Sequence, residues 1–159
     1  MTIPTLIPQS GGNGCLNGAY VMSEGGAGPD APLQSLRILI VEDDWFVSME
    51  MEHVVESEGY DVVGVATTAE QAVTLATQYR PDLVLMDIRL RGGSDGIDAA
   101  IEIHRTIGIR CLFCSAHTDP GTIERAQAAT PAGWLAKPFS GPQLLEAIAV
   151  ALDGLGLLD

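Results

Sequence analysis

Three carboxylates, a hydroxyl and an ammonium stand out by type and position. Glu42-Asp43-Asp44 follows the apolar run 38–41, Asp87 follows 83–86, Ser115 follows 109–114, and Lys137 follows 133–136. An apolar run that stops at a polar residue is the mark of a buried strand reaching its carboxyl end. In parallel α/β sheets the functional residues gather at those ends. At about 5 Å separation and an effective dielectric near 20, each like-charge pair costs roughly 3 kcal/mol. Glu42, Asp43 and Asp87 on neighbouring strand ends would therefore raise one another's pKa or recruit a cation. An all-oxygen set that leaves waters and an open position suits Mg2+. Lys137 and Ser115 add the positive charge and hydrogen bond that a phosphoryl group needs.

Plainer readings stand beside these. Asp44, close to the start of a helix, is better read as its cap, whereas Asp87 ends a buried strand and is poorly explained as a solvated acid. Lys137 is the only lysine among the eight basic residues, and Pro138 biases it toward extended backbone. A cis Lys137-Pro138 bond is compatible with the sequence but not visible in it. Ser115 alone fits a backbone-bonded hydroxyl as well as a phosphate contact, and Trp134 alone is best read as half-buried packing. His53, His104 and His117 show no ligand spacing. His53 and His104 fall on predicted helices as surface or boundary residues.

The elements that must position these groups follow from periodicity. Strand β1 is expected at 36–41, and a helix α1 at 44–58 with Val47, Met51, Val54 and Val55 inward and Gly59 at its end. Strand β2 follows at 61–66, then a helix α2 capped by Thr68 with Ala69, Ala72, Val73 and Ala76 inward, then β3 at 83–86. A glycine-bearing loop leads to α3 at 97–107, burying Ile97, Ala100 and Ile101. Strand β4 is expected at 109–114, a weak α4 at 121–129, β5 at 133–136, and a final helix α5 capped by Ser140 with Pro142 in its first turn. Five β/α repeats predict an α/β fold with a parallel sheet.

A chain of 159 residues holds one domain of ordinary size. Residues 1–35 carry seven glycines, four prolines and two charges and read as a flexible Gly/Pro-rich tail, with Met22 an alternative start. The net charge of −13 and pI near 4.3 argue against direct DNA binding or an anionic membrane surface, which need clustered Lys and Arg. No apolar stretch reaches the roughly 20 residues of a membrane span, and no basic residue precedes Arg37, so neither a membrane segment nor a signal peptide is expected. An odd cysteine count (Cys15, Cys111, Cys114) fits a reducing cytoplasm. Cys111 and Cys114 lie three apart on a strand, so they point to opposite faces and form a buried structural pair rather than a site.

The runs Ile38-Leu39-Ile40-Val41-Glu42-Asp43-Asp44, Leu83-Val84-Leu85-Met86-Asp87, Ser115-Ala116 and Trp134-Leu135-Ala136-Lys137-Pro138-Phe139 resemble the response-regulator receiver domain of two-component signalling, in order and in spacing. The resemblance covers roughly 36–152, with the domain taken as 36–155 and no output domain after it. It implies a flavodoxin-like, doubly wound five-stranded parallel sheet in the order 2-1-3-4-5. It further implies Asp87 as phosphoacceptor, Mg2+ held by Asp43, Asp87, Glu42 (mainly through water) and the Arg89 main-chain carbonyl, and phosphoryl oxygens held by Ser115 and Lys137. Ser115 and Trp134 would form the switch that reshapes the α4-β5-α5 face. Arg89 and His117 would tune hydrolysis of the acyl phosphate. The implied partners are a sensor histidine kinase or histidine phosphotransfer protein and a downstream protein target, with the chain acting in trans. Trp134 replaces the usual Tyr or Phe, and the loop 89–96 is one residue longer than the commonest form and lacks its proline.

Three other classes compete. A phosphatase of the haloacid dehalogenase type needs a second Asp two residues after the nucleophile, where this chain has Arg89. A flavodoxin-like FMN binder needs a phosphate-cradling loop after its first strand, where Glu42-Asp43-Asp44 would repel phosphate. A receiver-like interaction module acting without phosphorylation is opposed by the intact set of Asp43, Asp87, Ser115 and Lys137.

Overall fold

The structure is a computed structural model that describes residues 34–93 and 95–158. The tail, Met22 and Cys15 lie outside the described residues. Five strands form one parallel sheet in the order β2-β1-β3-β4-β5: β1 Arg37–Val41, β2 Asp61–Ala66, β3 Leu83–Met86, β4 Cys111–Ser115 and β5 Gly133–Ala136. The expected strand order is therefore observed. Helices α1 Trp45–Ser57, α2 Ala69–Tyr79, α3 Gly96–Ile107, α4 Pro120–Ala126 and α5 Gly141–Gly154 alternate with them.

The central strands are buried on both faces, which is why they read as unbroken apolar runs. Alternate residues serve two separate layers. Leu39, Val41, Val84, Met86, Cys111 and Phe113 face α2, α3 and α4, packing on Ala72, Ala76, Ile97, Ala100, Ile103 and Ala126. Ile38, Ile40, Leu83, Leu85, Leu112 and Cys114 face α1 and α5, packing on Met51, Val55, Leu144 and Ile148. Each fully buried Ile, Leu or Phe contributes on the order of 1.5–3 kcal/mol of transfer free energy. Cys111 and Cys114 fall in opposite layers, as period-two geometry requires, and both are buried free thiols.

Each helix starts where its cap residue stands. Asp44 accepts from the Phe46 and Val47 N–H groups, Thr68 from Gln71, Asp95 from Ile97, and Ser140 from Gln143 in a reciprocal capping box. Two boundaries differ from expectation. β4 runs from Cys111 to Ser115 rather than from 109 to 114, because the pairing with β5 begins where Ala132 N–H donates to Cys111 O and continues to Ser115, which pairs with Ala136 and accepts from Lys137 N–H. The helix expected at 121–129 is seven residues of α4 followed by a 3-10 turn, Gln127–Ala129, because only Ala126 and Ala129 bury against the sheet. Among the described residues no helix is long and apolar enough to cross a membrane.

Candidate functional site

The chain passes from β1 to β2 on one side of the sheet and returns to β3 on the other, so the carboxyl ends of β1 and β3 meet where the winding reverses. Crevices at such reversals are where open α/β sheets bind ligands. Glu42 and Asp43 leave β1 there and Asp87 leaves β3, while Ser115 ends β4 and Lys137 leaves β5. Backbone pairing continues past the strands: the Glu42 N–H donates to Ala66 O at 2.9 Å, Asp87 N–H to Val41 O at 3.0 Å, and Lys137 N–H to Ser115 O at 3.0 Å. The functional side chains are thus set by the sheet rather than by loops.

Carboxylate oxygens of Glu42, Asp43 and Asp87 all lie within 4.8 Å of one another. Three hard oxygen donors at that spacing fit a divalent cation of the Mg2+ type. Lys137 Nζ stands 2.5 Å from Glu42 Oε2 and 3.3 Å from Asp87 Oδ2. The other oxygen of Glu42 accepts from the Asp44 N–H at 3.1 Å. The Glu42 and Asp87 side chains are only 3% and 10% exposed, so neither charge can rely on water. Burial pushes the Glu42 pKa up against the lowering effects of the Lys137 hydrogen bond and the Asp44 N–H, and the charge of Asp87 adds to the rise. Burial alone would lower Lys137, but the Glu42 hydrogen bond and the Asp87 charge outweigh it and hold its pKa above the ordinary lysine value. The two rises differ in source: burial dominates at Glu42, whereas the neighbouring carboxylates dominate at Lys137. The Lys137-Pro138 bond is cis.

Ser115 is buried, with its Oγ accepting from the His117 N–H at 3.0 Å. Trp134, half-buried, stacks on the fully buried Phe113 of β4, with centroids 4.8 Å apart and planes at 29°. Arg89 is exposed and its backbone bridges Asp95, closing the base of the loop after β3. His53 is exposed; His104 is half-buried, with Nδ1 sealed from solvent and unpartnered among the described residues. Cys114 is inert as a thiol, burial pushing its pKa up to about 12.

Three features were not singled out from the sequence. Arg91 Nε lies 3.3 Å from Asp43 Oδ2. Gly96 sits so close beneath the carboxyl end of β3 that an ideal Cβ there would stand 1.9 Å from the Asp87 carbonyl oxygen. Arg125 on α4 pairs with Asp95 at the start of α3, and with Asp98 at 3.9 Å. Only loop length and the density of basic residues around 89–91 hinted at the first, and nothing in one sequence shows the others.

The family profile described as the response regulator receiver domain matches residues 38–149. Among curated proteins, the chain is 38% identical over 117 residues to the transcriptional regulatory protein PdtaR of Mycobacterium tuberculosis, covering 74% of this chain and 57% of that one. It is 36% identical over 118 residues to the chemotaxis protein CheY of Bacillus subtilis, covering 74% and 98% respectively. The chain thus spans little more than half the length of PdtaR. Among solved structures, the signal receiver domain of a modulated diguanylate cyclase from Desulfovibrio desulfuricans G20 superposes with a TM-score of 0.71 at 35% identity, covering 78% of this chain and 98% of that one.

Proposed function

The chain belongs to the response-regulator receiver family, and from that premise we propose that Asp87 accepts a phosphoryl group from a phosphohistidine donor in a Mg2+-dependent reaction. The observation that carries this reading is the Lys137 ammonium bridging Asp87 and Glu42, beside an all-oxygen cluster at the reversal of the sheet. Glu42, Asp43, Asp87 and the Arg89 carbonyl would hold the ion, which supplies positive charge to the phosphoryl oxygens.

The residues of the chain do the rest by position and charge. An Asp87 carboxylate oxygen forms the new bond to phosphorus as the P–N bond to the donor imidazole breaks in line, the imidazole leaving with the electron pair. Lys137, already 3.3 Å from Asp87, neutralises the charge on an equatorial oxygen. Ser115 turns its hydroxyl from the His117 N–H toward another. That movement biases Trp134 and the α4-β5-α5 face, a two-state element read by a downstream protein. Donor and target meet the domain in the cytoplasm. Arg89 and His117 slow the approach of water to the acyl phosphate.

Incubation with acetyl phosphate and Mg2+, followed by intact-mass analysis, tests the proposal. The expected result is one added phosphoryl group that disappears in Asp87→Asn and after removal of Mg2+ with EDTA. No added mass at saturating donor supports an interaction module instead. Continuous phosphate release from many phosphoesters supports a phosphatase.

A further inference from the structure

Lys137 is occupied by Glu42 and Asp87, which leaves Asp43 with a different cation. Arg91 Nε stands 3.3 Å from Asp43 Oδ2. Arg91 opens a 3-10 turn, Arg91–Gly93, and the loop is pinned on both sides of it. Leu90 is buried in the layer under α2 and α3, and the Arg89–Asp95 bridge closes the base. The guanidinium is therefore delivered to Asp43 by the backbone. Gly92 and Gly93, both at positive φ, have nothing within 4 Å of an added Cβ.

Asp43 is also one of the three acids whose oxygens converge within 4.8 Å. A guanidinium and a divalent ion cannot both take the same carboxylate at full strength. Resting on the metal reading above, we propose that Arg91 is a tethered counter-cation. It holds Asp43 while the site is ion-free, yields it when a divalent ion arrives, and so sets the ion concentration at which the site fills. Loading then releases the Arg91–Gly93 turn at the mouth of the crevice. The Arg91 side chain is 78% exposed, so solvent screening limits the effect to a few-fold.

The test uses Mn2+ as the probe, with free ion read directly from its electron paramagnetic resonance signal, and no phosphodonor present. Arg91→Ala should bind Mn2+ roughly 3- to 10-fold more tightly than the wild-type chain. Arg91→Lys, which keeps the charge, should stay closer to wild type. Arg105→Ala is the control for net charge: Arg105 is exposed in the last turn of α3, about 13 Å along the helix from its start. It should leave affinity within twofold. An Arg91→Ala affinity equal to or weaker than wild type overturns the inference, and so does equal tightening by Arg105→Ala. Failure of the wild-type chain and Arg91→Ala alike to bind Mn2+, or binding unaltered by Asp43→Asn, removes the metal reading itself and the inference with it.

Discussion

Replacing Gly96 with alanine should disable the acceptor without unfolding the domain. An ideal Cβ at this position lies 1.9 Å from Asp87 O, 2.9 Å from Asp87 C and 3.0 Å from Ile88 Cα, all backbone atoms that have no rotamer to retreat into. Reaching a tolerable contact of about 3.0 Å means opening the α3 start from the end of β3 by about 1.1 Å. The Gly96 N–H to Ile88 O bond, 2.8 Å long, spans the same gap and would be strained with it. Overpacking of this kind costs about 1–3 kcal/mol, and a weakened backbone bond about 1 more. A displacement near 1 Å at a reacting carboxylate slows chemistry on the order of 100-fold. Gly108→Ala makes the comparison sharp. Gly108 sits at φ +73 beyond the C-terminus of α3, with nothing within 4 Å of an added Cβ. Its substitution should cost about 1–2 kcal/mol through left-handed backbone strain alone, far from the crevice. Denaturant titration and the rate of labelling by acetyl phosphate are measured on both. Destabilisation of both, with slow labelling only in Gly96→Ala, is expected. Wild-type labelling by folded Gly96→Ala, or equal slowing in Gly108→Ala, refutes the reasoning.

Lys137→Met should destabilise the fold by about 3 kcal/mol near neutral pH, because it strands the Glu42 carboxylate in a buried site. Glu42 has a folded pKa above its ordinary 4.5, so its protonated form contributes stability that is fully present below 4.5 and lost as pH rises through the folded value. The penalty of Lys137→Met should therefore shrink on acidification toward pH 5, and urea titrations showing a constant or growing gap would contradict it. Lys137 has the same sign at higher pH: its raised pKa supplies stability that is present below 10.5 and fades as pH climbs through the folded value. Alanine at both Arg89 and His117 should shorten the lifetime of the acyl phosphate on the order of tenfold, about 1.4 kcal/mol in barrier. An unchanged decay rate, followed by intact mass after donor removal, would count against the assignment.

What was legible from residues alone follows from which signals are local. β1 and β3 lie in the middle of the sheet and are wrapped on both faces, so their apolar runs end sharply at Glu42 and Asp87. Caps at Asp44, Thr68 and Ser140 declare themselves through the residue type and the helix that follows. β4 was displaced because polarity served as the terminator, whereas Ser115 is a strand residue paired with Ala136. Ile109 and Arg110 are half-buried and precede the strand. α4 buries a single alanine, Ala126, leaving too little periodicity to fix its length. The grip of Arg91 on Asp43 joins segments far apart along the chain, and the close approach of Gly96 to the Asp87 carbonyl depends on how the intervening loop folds back; no periodic pattern encodes such meetings.

The indole of Trp134 rests its face on Phe113, a ring wholly enclosed in the layer under α3 and α4. Any excursion of that indole strips Phe113 of a neighbour, and stacked aromatic pairs contribute about 0.5–1.5 kcal/mol beyond their area. Translated into populations, this is a roughly two- to twelvefold preference for the parked ring. Under the proposed switch the strand-five aromatic would therefore work as a detent: it would set how firmly the domain stays silent between signals, and a smaller ring at 134 would idle nearer to firing.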